Sequence, residues 1–239
     1  MMNIVQACGV VAKGRGNAIL VSTMLSMFIF DRIEGADGKA RMVPLLGGKA
    51  GLVLGLAVAG AKKALGTKAS TEVPATGRIS SVPLMGGAAG LGLGLALAQP
   101  DRKVVVVDGD ASLLMELGGL ATVASQKPKN LLHIVVHNGT QFTGLDNMKI
   151  VTTDFQFAKV AREAGYVHAE RIADGGKWAE RFAALLAMDG PVFVELMVEP
   201  APRQTGAGFE QEEMPDRQFN RMGEEALALQ AMLVQDTAA

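Results

Sequence analysis

Four short apolar runs punctuate the chain, at residues 18–22, 104–107, 131–136 and 192–198. Each is rich in Val and Ile and continuous rather than alternating, so each predicts a buried parallel strand covered on both faces. The segments between them carry helical spacing instead. Residues 112–125 place Leu113, Leu114, Leu117 and Leu120 along one stripe, and residues 152–164 and 177–188 are amphipathic in the same way. Strands alternating with helices predict an α/β class: an open, mostly parallel sheet, right-handed crossovers and helices on both faces. Ligands of such sheets bind outside the carboxyl ends of the strands. Residues 199–217 form a Pro-, Gly- and acid-rich tail, followed by a helical pattern over residues 223–234 that could reach a neighbouring subunit.

One pattern occurs twice. Residues 43–59, VPLLGGKAGLVLGLAVA, align without gaps onto residues 82–98, VPLMGGAAGLGLGLALA, differing at Leu46/Met85, Lys49/Ala88, Val53/Gly92 and Val58/Leu97. Both copies carry glycine every fourth residue: Gly47, Gly51 and Gly55, then Gly86, Gly90 and Gly94. On a helix this spacing makes a bare stripe that a second backbone or a ligand can approach closely. Since each interior glycine costs about 1 kcal/mol relative to alanine, the stripe calls for a packing reason, and a subunit interface supplies one. Residues 62–77 between the copies are polar and turn-rich, the composition of an exposed loop. Residues 50–61 and 86–98 are too short to span a bilayer, which needs about 18–20 apolar residues, and read as buried helices. Met1 to Ala12 has no basic residue ahead of its apolar stretch and does not read as a secretory leader.

Composition narrows the classes. The chain has 239 residues, 49% hydrophobic, with 23 Lys and Arg against 24 Asp and Glu. That is ample for a buried core and fits one large domain or two small ones. The balanced charge removes the electrostatic footprint of a nucleic-acid or anionic-membrane binder. One cysteine, Cys8, makes no intrachain disulfide and no Cys-based metal cage, which points to a reducing, cytoplasmic setting.

Chemistry concentrates in residues 103–140. The second apolar run ends in Asp108-Gly109-Asp110-Ala111-Ser112, where a helix is expected to start at once, capped by Asp110 or Ser112. A helix N-terminus at a sheet's carboxyl edge favours a phosphate, yet Asp110 repels one. A hard cation such as Mg²⁺ between them resolves the conflict, because it takes carboxylate, amide, carbonyl and phosphate oxygens. The next strand ends in His137-Asn138-Gly139-Thr140, so Asn138 offers a neutral oxygen close to Asp110 if the strands are neighbours. Taken singly these residues have plainer readings: Asp110 a helix cap, Asn138-Gly139 a turn, Met85 a core filler, His133 and His137 structural groups, Tyr166 and Trp178 packing residues.

Gly-Asp-Ala-Ser, followed after residues 112–136 by His-Asn, resembles the thiamine diphosphate signature, GDG and then NN at that separation. The preceding PLMGGAAGLGLGLAL resembles the GSMG…GLGLAL segment of sulfopyruvate and phosphonopyruvate decarboxylases. The resemblance runs from about residue 79 to about 170. It implies a single stand-alone diphosphate-binding (PP) domain over residues 1–239, with an inserted near-repeat at about 41–78 and a tail at about 199–239, like the β subunit of sulfopyruvate decarboxylase. Such a domain binds thiamine diphosphate and Mg²⁺ and serves an enzyme decarboxylating a 2-oxo acid.

Position by position, the resemblance makes Asp110, Asn138 and the carbonyl of Thr140 the metal ligands. It assigns Gly109, Ala111 and Ser112 to the diphosphate, Pro83 and Met85 to the aminopyrimidine, and Gly86 to the same turn. Met85 would prop the cofactor in its bent conformation, and a loop over residues 141–144, with Phe142, would lie over the diphosphate. Ala111 stands where the signature has glycine, which is tolerable where no positive φ is needed. His137 replaces the first asparagine, and Pro83-Leu84 replace Gly-Ser. The second copy of the repeat is expected to dock the cofactor, because it leads directly into the strand ending at Asp110.

The glutamate that activates the cofactor in this family belongs to a pyrimidine-binding (PYR) domain, and residues 1–78 are too short to be one. A separate PYR subunit is therefore the implied partner. The alternatives are a non-catalytic assembly subunit and a homo-oligomeric cofactor-binding protein of the same fold. A nucleotide-binding module is disfavoured, since there is no P-loop lysine motif.

Overall fold

Residues 2–34, 77–143, 146–150, 154–200 and 215–237 are described by the structure, a computed structural model. The first copy of the repeat, the loop after it and residues 201–214 of the tail lie outside them. Six strands form one parallel sheet: β1 (Ile19–Ser22), β2 (Arg78–Ser80), β3 (Val104–Gly109), β4 (Leu131–His137), β7 (His168–Ile172) and β8 (Val192–Met197). Their spatial order is β2-β1-β3-β4-β8-β7, and every neighbouring pair is parallel. Strands β5 (Thr140–Thr143) and β6 (Asp146–Lys149) form a separate antiparallel hairpin.

The continuous apolar runs are explained by the two cores. Val104 and Val106 face one, with Ile19, Val21, Leu131 and Val135. Val105 and Val107 face the other, with Leu20, Leu132, Ile134 and Val136. The first core is closed by α3 (Ala88–Ala98), α5 (Gly119–Gln126), α6 (Phe157–Ala164) and, through Leu229, α8 (Pro215–Thr237). The second is closed by α1 (Ile4–Gly14), α2 (Met24–Glu34) and α7 (Gly175–Ala187), where Trp178 is fully buried and donates its indole N–H to Ala7 O at 3.1 Å.

Chain order makes a crevice. From β1 the chain moves outward to β2, then crosses back over β1 to β3, so the connections after β1 and β3 leave in opposite directions. Thr23 N–H and the Ser26 hydroxyl both donate to Val107 O, at 3.1 Å each, and tie the start of α2 to β3. At the opposite edge Asn130 Nδ2 reaches the carbonyls of Ala96, Gln99 and Arg102, closing the C-terminal end of α3 and the turn into β3.

The structure corrects several expectations. The four predicted strands are present, but β2, β7 and the hairpin add to them. Residues 112–125 are two helices, α4 (Asp110–Met115) and α5, broken where Glu116 leaves helical geometry at φ −138° and ψ 51°. Neither Asp110 nor Ser112 caps: Gly109 is the N-cap of α4 and provides no side-chain bond. Of the expected helix over residues 152–164, the part from Phe157 is helical. Residues 141–143, expected in a loop, lie on β5. Among the described residues no helix is long and apolar enough to cross a membrane.

Short β2 buries one apolar side chain, Ile79, in the first core and is otherwise held by charge. Arg78 pairs with Asp31 and with Glu34, which also binds Arg15 at 2.9 Å. Ser80 donates its N–H and its hydroxyl to Glu225 of α8, both at 2.6 Å, and Arg221 of α8 binds Asp31 at 2.8 Å. Burial would raise the Asp31 carboxyl, but the hydrogen bonds and charges of Arg221 and Arg78 outweigh it and hold it below its ordinary value of 3.8.

Two outcomes follow. A Cβ on Gly92 would overlap Val106 Cγ2, and Val106 is fully buried, so Gly92→Val should cost about 3 kcal/mol, read as a lower urea midpoint at unchanged slope. A depressed carboxylate stabilises above its unfolded value and loses that contribution as pH falls through its folded one. Hydrogen exchange in α8 should therefore accelerate selectively as pH drops below 3.8, and Asp31→Asn should loosen α8 already at neutral pH.

Candidate cofactor and metal site

The site is assembled by the ends of two adjacent strands. Register pairs Asp108 with Val135 and Gly109 with Val136, and β4 runs one residue further, to His137, so Asp110 and Asn138 follow neighbouring strand ends. Helix α4 starts immediately with Asp110, which is 2% exposed. Asp110 Oδ2 accepts from Gly139 N–H at 2.6 Å and Oδ1 from Ala111 N–H at 2.9 Å. Burial pushes this carboxyl above its ordinary value, opposed by the amides of Gly139 and Ala111 and then by His137.

Asn138 folds back on the chain: its Oδ1 accepts from Thr140 N–H at 2.8 Å and from the Thr140 hydroxyl at 3.1 Å. That Asx turn needs Gly139 at φ +72°, in the left-handed region that glycine takes without strain. Asp110, distant in sequence, is thus brought to the Asn138–Thr140 turn through the Gly139 amide. Ala111 has no positive φ, so alanine is accommodated where the signature has glycine.

The second copy of the repeat joins the same corner. Gly86 N–H donates to Ser112 Oγ at 3.1 Å, and at φ +87° its Cα passes so close to α4 that a Cβ would lie 3.1 Å from Glu116 Cβ. Pro83 is half-buried, while Leu84 and Met85 are 42% and 51% exposed. Met85 is therefore not core filler: it stands out from the turn that Gly86 fixes. Phe142 lies on β5 opposite Asn147.

The two copies are not interchangeable. Gly92 of α3 lies against Val106, whereas the first copy has Val53 at that position, too large for this contact. Gly90 and Gly94 of the glycine stripe are exposed, and a Cβ on either would meet nothing within 4 Å. The stripe is not consumed by packing among the described residues.

Sequence reasoning missed Glu195. It is fully buried in β8 and accepts from His137 Nδ1 at 2.7 Å and from Ala158 N–H at 3.0 Å. A lone carboxylate inside the apolar run VFVELM was the available signal. His133 is buried against Tyr166, its Nδ1 3.2 Å from the phenol oxygen, and burial pushes that phenol upward. Among the described residues no three His, Cys, Asp or Glu side chains gather around one point, so no all-side-chain metal cage of those types is present there.

A parallel sheet with a crevice at its switch point, and an acid–amide pair above adjacent strand ends, define a class of cofactor-binding α/β domain. The chain belongs to the thiamine pyrophosphate enzyme family: the model of its C-terminal TPP binding domain matches residues 75–196. That match includes the second copy of the repeat and every site residue from Pro83 to Glu195. Phosphonopyruvate decarboxylase of Streptomyces viridochromogenes is 43% identical over 101 residues, covering 41% of this chain and 25% of that protein. Sulfopyruvate decarboxylase subunit beta of Methanothermobacter thermautotrophicus is 43% identical over 106 residues, covering 42% of this chain and 51% of that one. The chain thus spans a quarter to a half of the length of these curated relatives.

Among solved structures, a Mycobacterium smegmatis protein described as thiamin diphosphate-dependent superposes with a TM-score of 0.57 at 15% identity, covering 84% of this chain and 32% of its own. The 4-hydroxybenzoylformate decarboxylase of Rhodococcus jostii RHA1 gives 0.51 at 18%, covering 83% and 33%. At these identities the likeness is one of fold.

Ser112→Ala would leave Gly86 N–H without its partner. Unfolding in urea should show a loss of about 1–2 kcal/mol.

Proposed function

We propose that this chain is the thiamine diphosphate- and Mg²⁺-binding subunit of a 2-oxo acid decarboxylase, working in the cytoplasm and completed by a separate PYR-domain subunit that brings the activating glutamate. The observation that carries the reading is the Asp110–Gly139–Asn138 arrangement, a buried carboxylate and an amide oxygen held together by one short amide bond. The donor set fits a hard cation. Asp110 keeps acceptor capacity on both oxygens, and among the described residues no cationic side chain is hydrogen-bonded to it, a condition that a divalent ion relieves. Asn138 Oδ1 shares its second lone pair with a hydroxyl that can rotate away.

Asp110, Asn138 and the Thr140 carbonyl would hold the Mg²⁺. Gly109, Ala111 and Ser112 would face the diphosphate, with Phe142 beside it. Pro83, Met85 and Gly86 would support the aminopyrimidine. Thiamine diphosphate supplies an electron sink for the bond between the 2-oxo carbon and its carboxylate. This chain's residues anchor and orient: Asp110 and Asn138 fix one end, and Met85 sets the bend at the other.

The partner reading is supported by the relatives named as a subunit beta and by the surface around Met85. Leu84, Met85, Gly90, Gly94 and Leu97 are all exposed, an apolar face beside the crevice with no polar side chain on α3 to wet it.

Titration calorimetry tests the site. The wild-type chain should bind thiamine diphosphate in a Mg²⁺-dependent manner, and Asp110→Ala should abolish that dependence; unchanged affinity would remove Asp110 from the site. Met85→Ala should leave binding within a few-fold but lower turnover of the complex with its partner; unchanged turnover would remove its propping role.

A further inference from the structure

Asp110 sits at the first residue of α4, a helix of one and a half turns without a side-chain cap. Asn138 follows the last residue of β4. Each has local bonds, Asp110 to Ala111 N–H and Asn138 to Thr140, but these do not set the height of one strand end against the other.

His137 is the residue between them and the rest of the molecule. It is buried, and its Nε2 lies 4.0 Å from Asp110 Oδ2, beyond hydrogen-bond reach. Its Nδ1 is 2.7 Å from Glu195 Oε1. A carboxylate oxygen can only accept, so Nδ1 carries the proton and the ring's orientation is set. The first residue of α6, Phe157, meets the ring edge-on with centroids 5.1 Å apart.

Glu195 is itself fastened on several sides. Its second oxygen takes the Ala158 N–H at the start of α6, and Arg171 Nε of β7 stands 3.4 Å from the first. The end of β4 is tied to β8 once more by Val198 N–H donating to His137 O at 3.1 Å. Elements β7, β8 and α6, none of which carries a predicted cofactor residue, thus converge on one imidazole behind Asp110.

We propose that Glu195 and His137 form a positioning pair that fixes the Asp110 carboxylate and the Asn138–Gly139 turn before any ligand arrives. The pair rests on the reading of Asp110 and Asn138 as the cation site. It also explains how a histidine serves where the signature has asparagine: the imidazole fills the space between the Asp110 carboxylate and a buried glutamate that holds it. Outer partners of metal-ligating groups commonly alter affinity about 10–100-fold when removed.

The test uses the whole chain and two readouts, one of them free of cofactor. In the apo protein, exchange of the Gly139 amide, bonded to Asp110, is compared with that of Val104, bonded to Asn130 O at the far end of the sheet. In Glu195→Gln, the amide can keep the Ala158 N–H on its oxygen only by turning its NH2 toward His137 Nδ1, which forces the other tautomer on the ring and removes the charged partner that orients it. The variant's Gly139 protection should fall at least ten-fold relative to Val104, and its affinity for thiamine diphosphate with Mg²⁺ should fall about ten-fold. His137→Asn, which restores the signature residue but leaves Glu195 without its ring partner, should show the same selective loss of Gly139 protection, and it reports should Glu195→Gln fail to fold.

A lower melting temperature, with the Gly139-to-Val104 ratio and cofactor affinity both within two-fold of wild type, would make the pair merely structural and overturn the proposal. A wild-type chain that takes up no cofactor would overturn the cation-site reading instead, and the exchange ratio would still decide whether the pair positions Asp110.

Discussion

One hydrogen bond organises the carboxyl edge of the sheet: Gly139 N–H to Asp110 Oδ2, 2.6 Å long and partly buried. It joins the residue after β3 to the turn after β4, and so turns two neighbouring strand ends into one corner. Such a bond to an ionised, poorly solvated acceptor is stronger than a neutral one. Its strength has a cost, because the carboxylate is desolvated and only partly compensated by two amides. Among the described residues no cationic side chain is hydrogen-bonded to Asp110, a lack that the proposed cation would relieve. Stability and function pull on the same group.

The scaffold that holds the corner level is dictated by close approach. Parallel strands stop together only if the elements above them sit at fixed heights, and α3 reaches its height because Gly92 lets its backbone lie on Val106. From that position the turn before α3 delivers Gly86 to Ser112 and leaves Met85 standing free. The same helix keeps Gly90 and Gly94 bare on its other side. A helix with no polar side chain and an exposed outer face is stable in a chain that buries that face against something else. The proposed partner subunit would give that face its cover.

The central strands and the carboxylate–amide corner were legible because each left a local mark: unbroken Val and Ile runs, and an acid and an asparagine at matched strand ends. Strand β2 left none. Arg78 and Ser80 look like loop residues until Glu34, Asp31 and Glu225 are brought to them, and two of those partners precede the first repeat while the third lies in the last helix. Strand β7, HAERI, buries only Ala169 and Ile172 among half-buried polar residues and reads as neither buried strand nor helix. The break between α4 and α5 was hidden because the leucine spacing continues through it. Glu195 was visible as a charge inside an apolar run, but its meaning depends on His137, 58 residues earlier. What was not legible is, in most of these cases, an interaction between distant polar residues.

The central claim is that this chain is the cofactor-anchoring half of a two-part active site. Native mass spectrometry of the complex isolated gently from the host, with Mg²⁺ present, tests it most directly. The account predicts thiamine diphosphate retained together with a second polypeptide of PYR-domain size. A homo-oligomer that carries no cofactor and refuses added thiamine diphosphate would contradict it, leaving the fold in place and making an assembly role the better description.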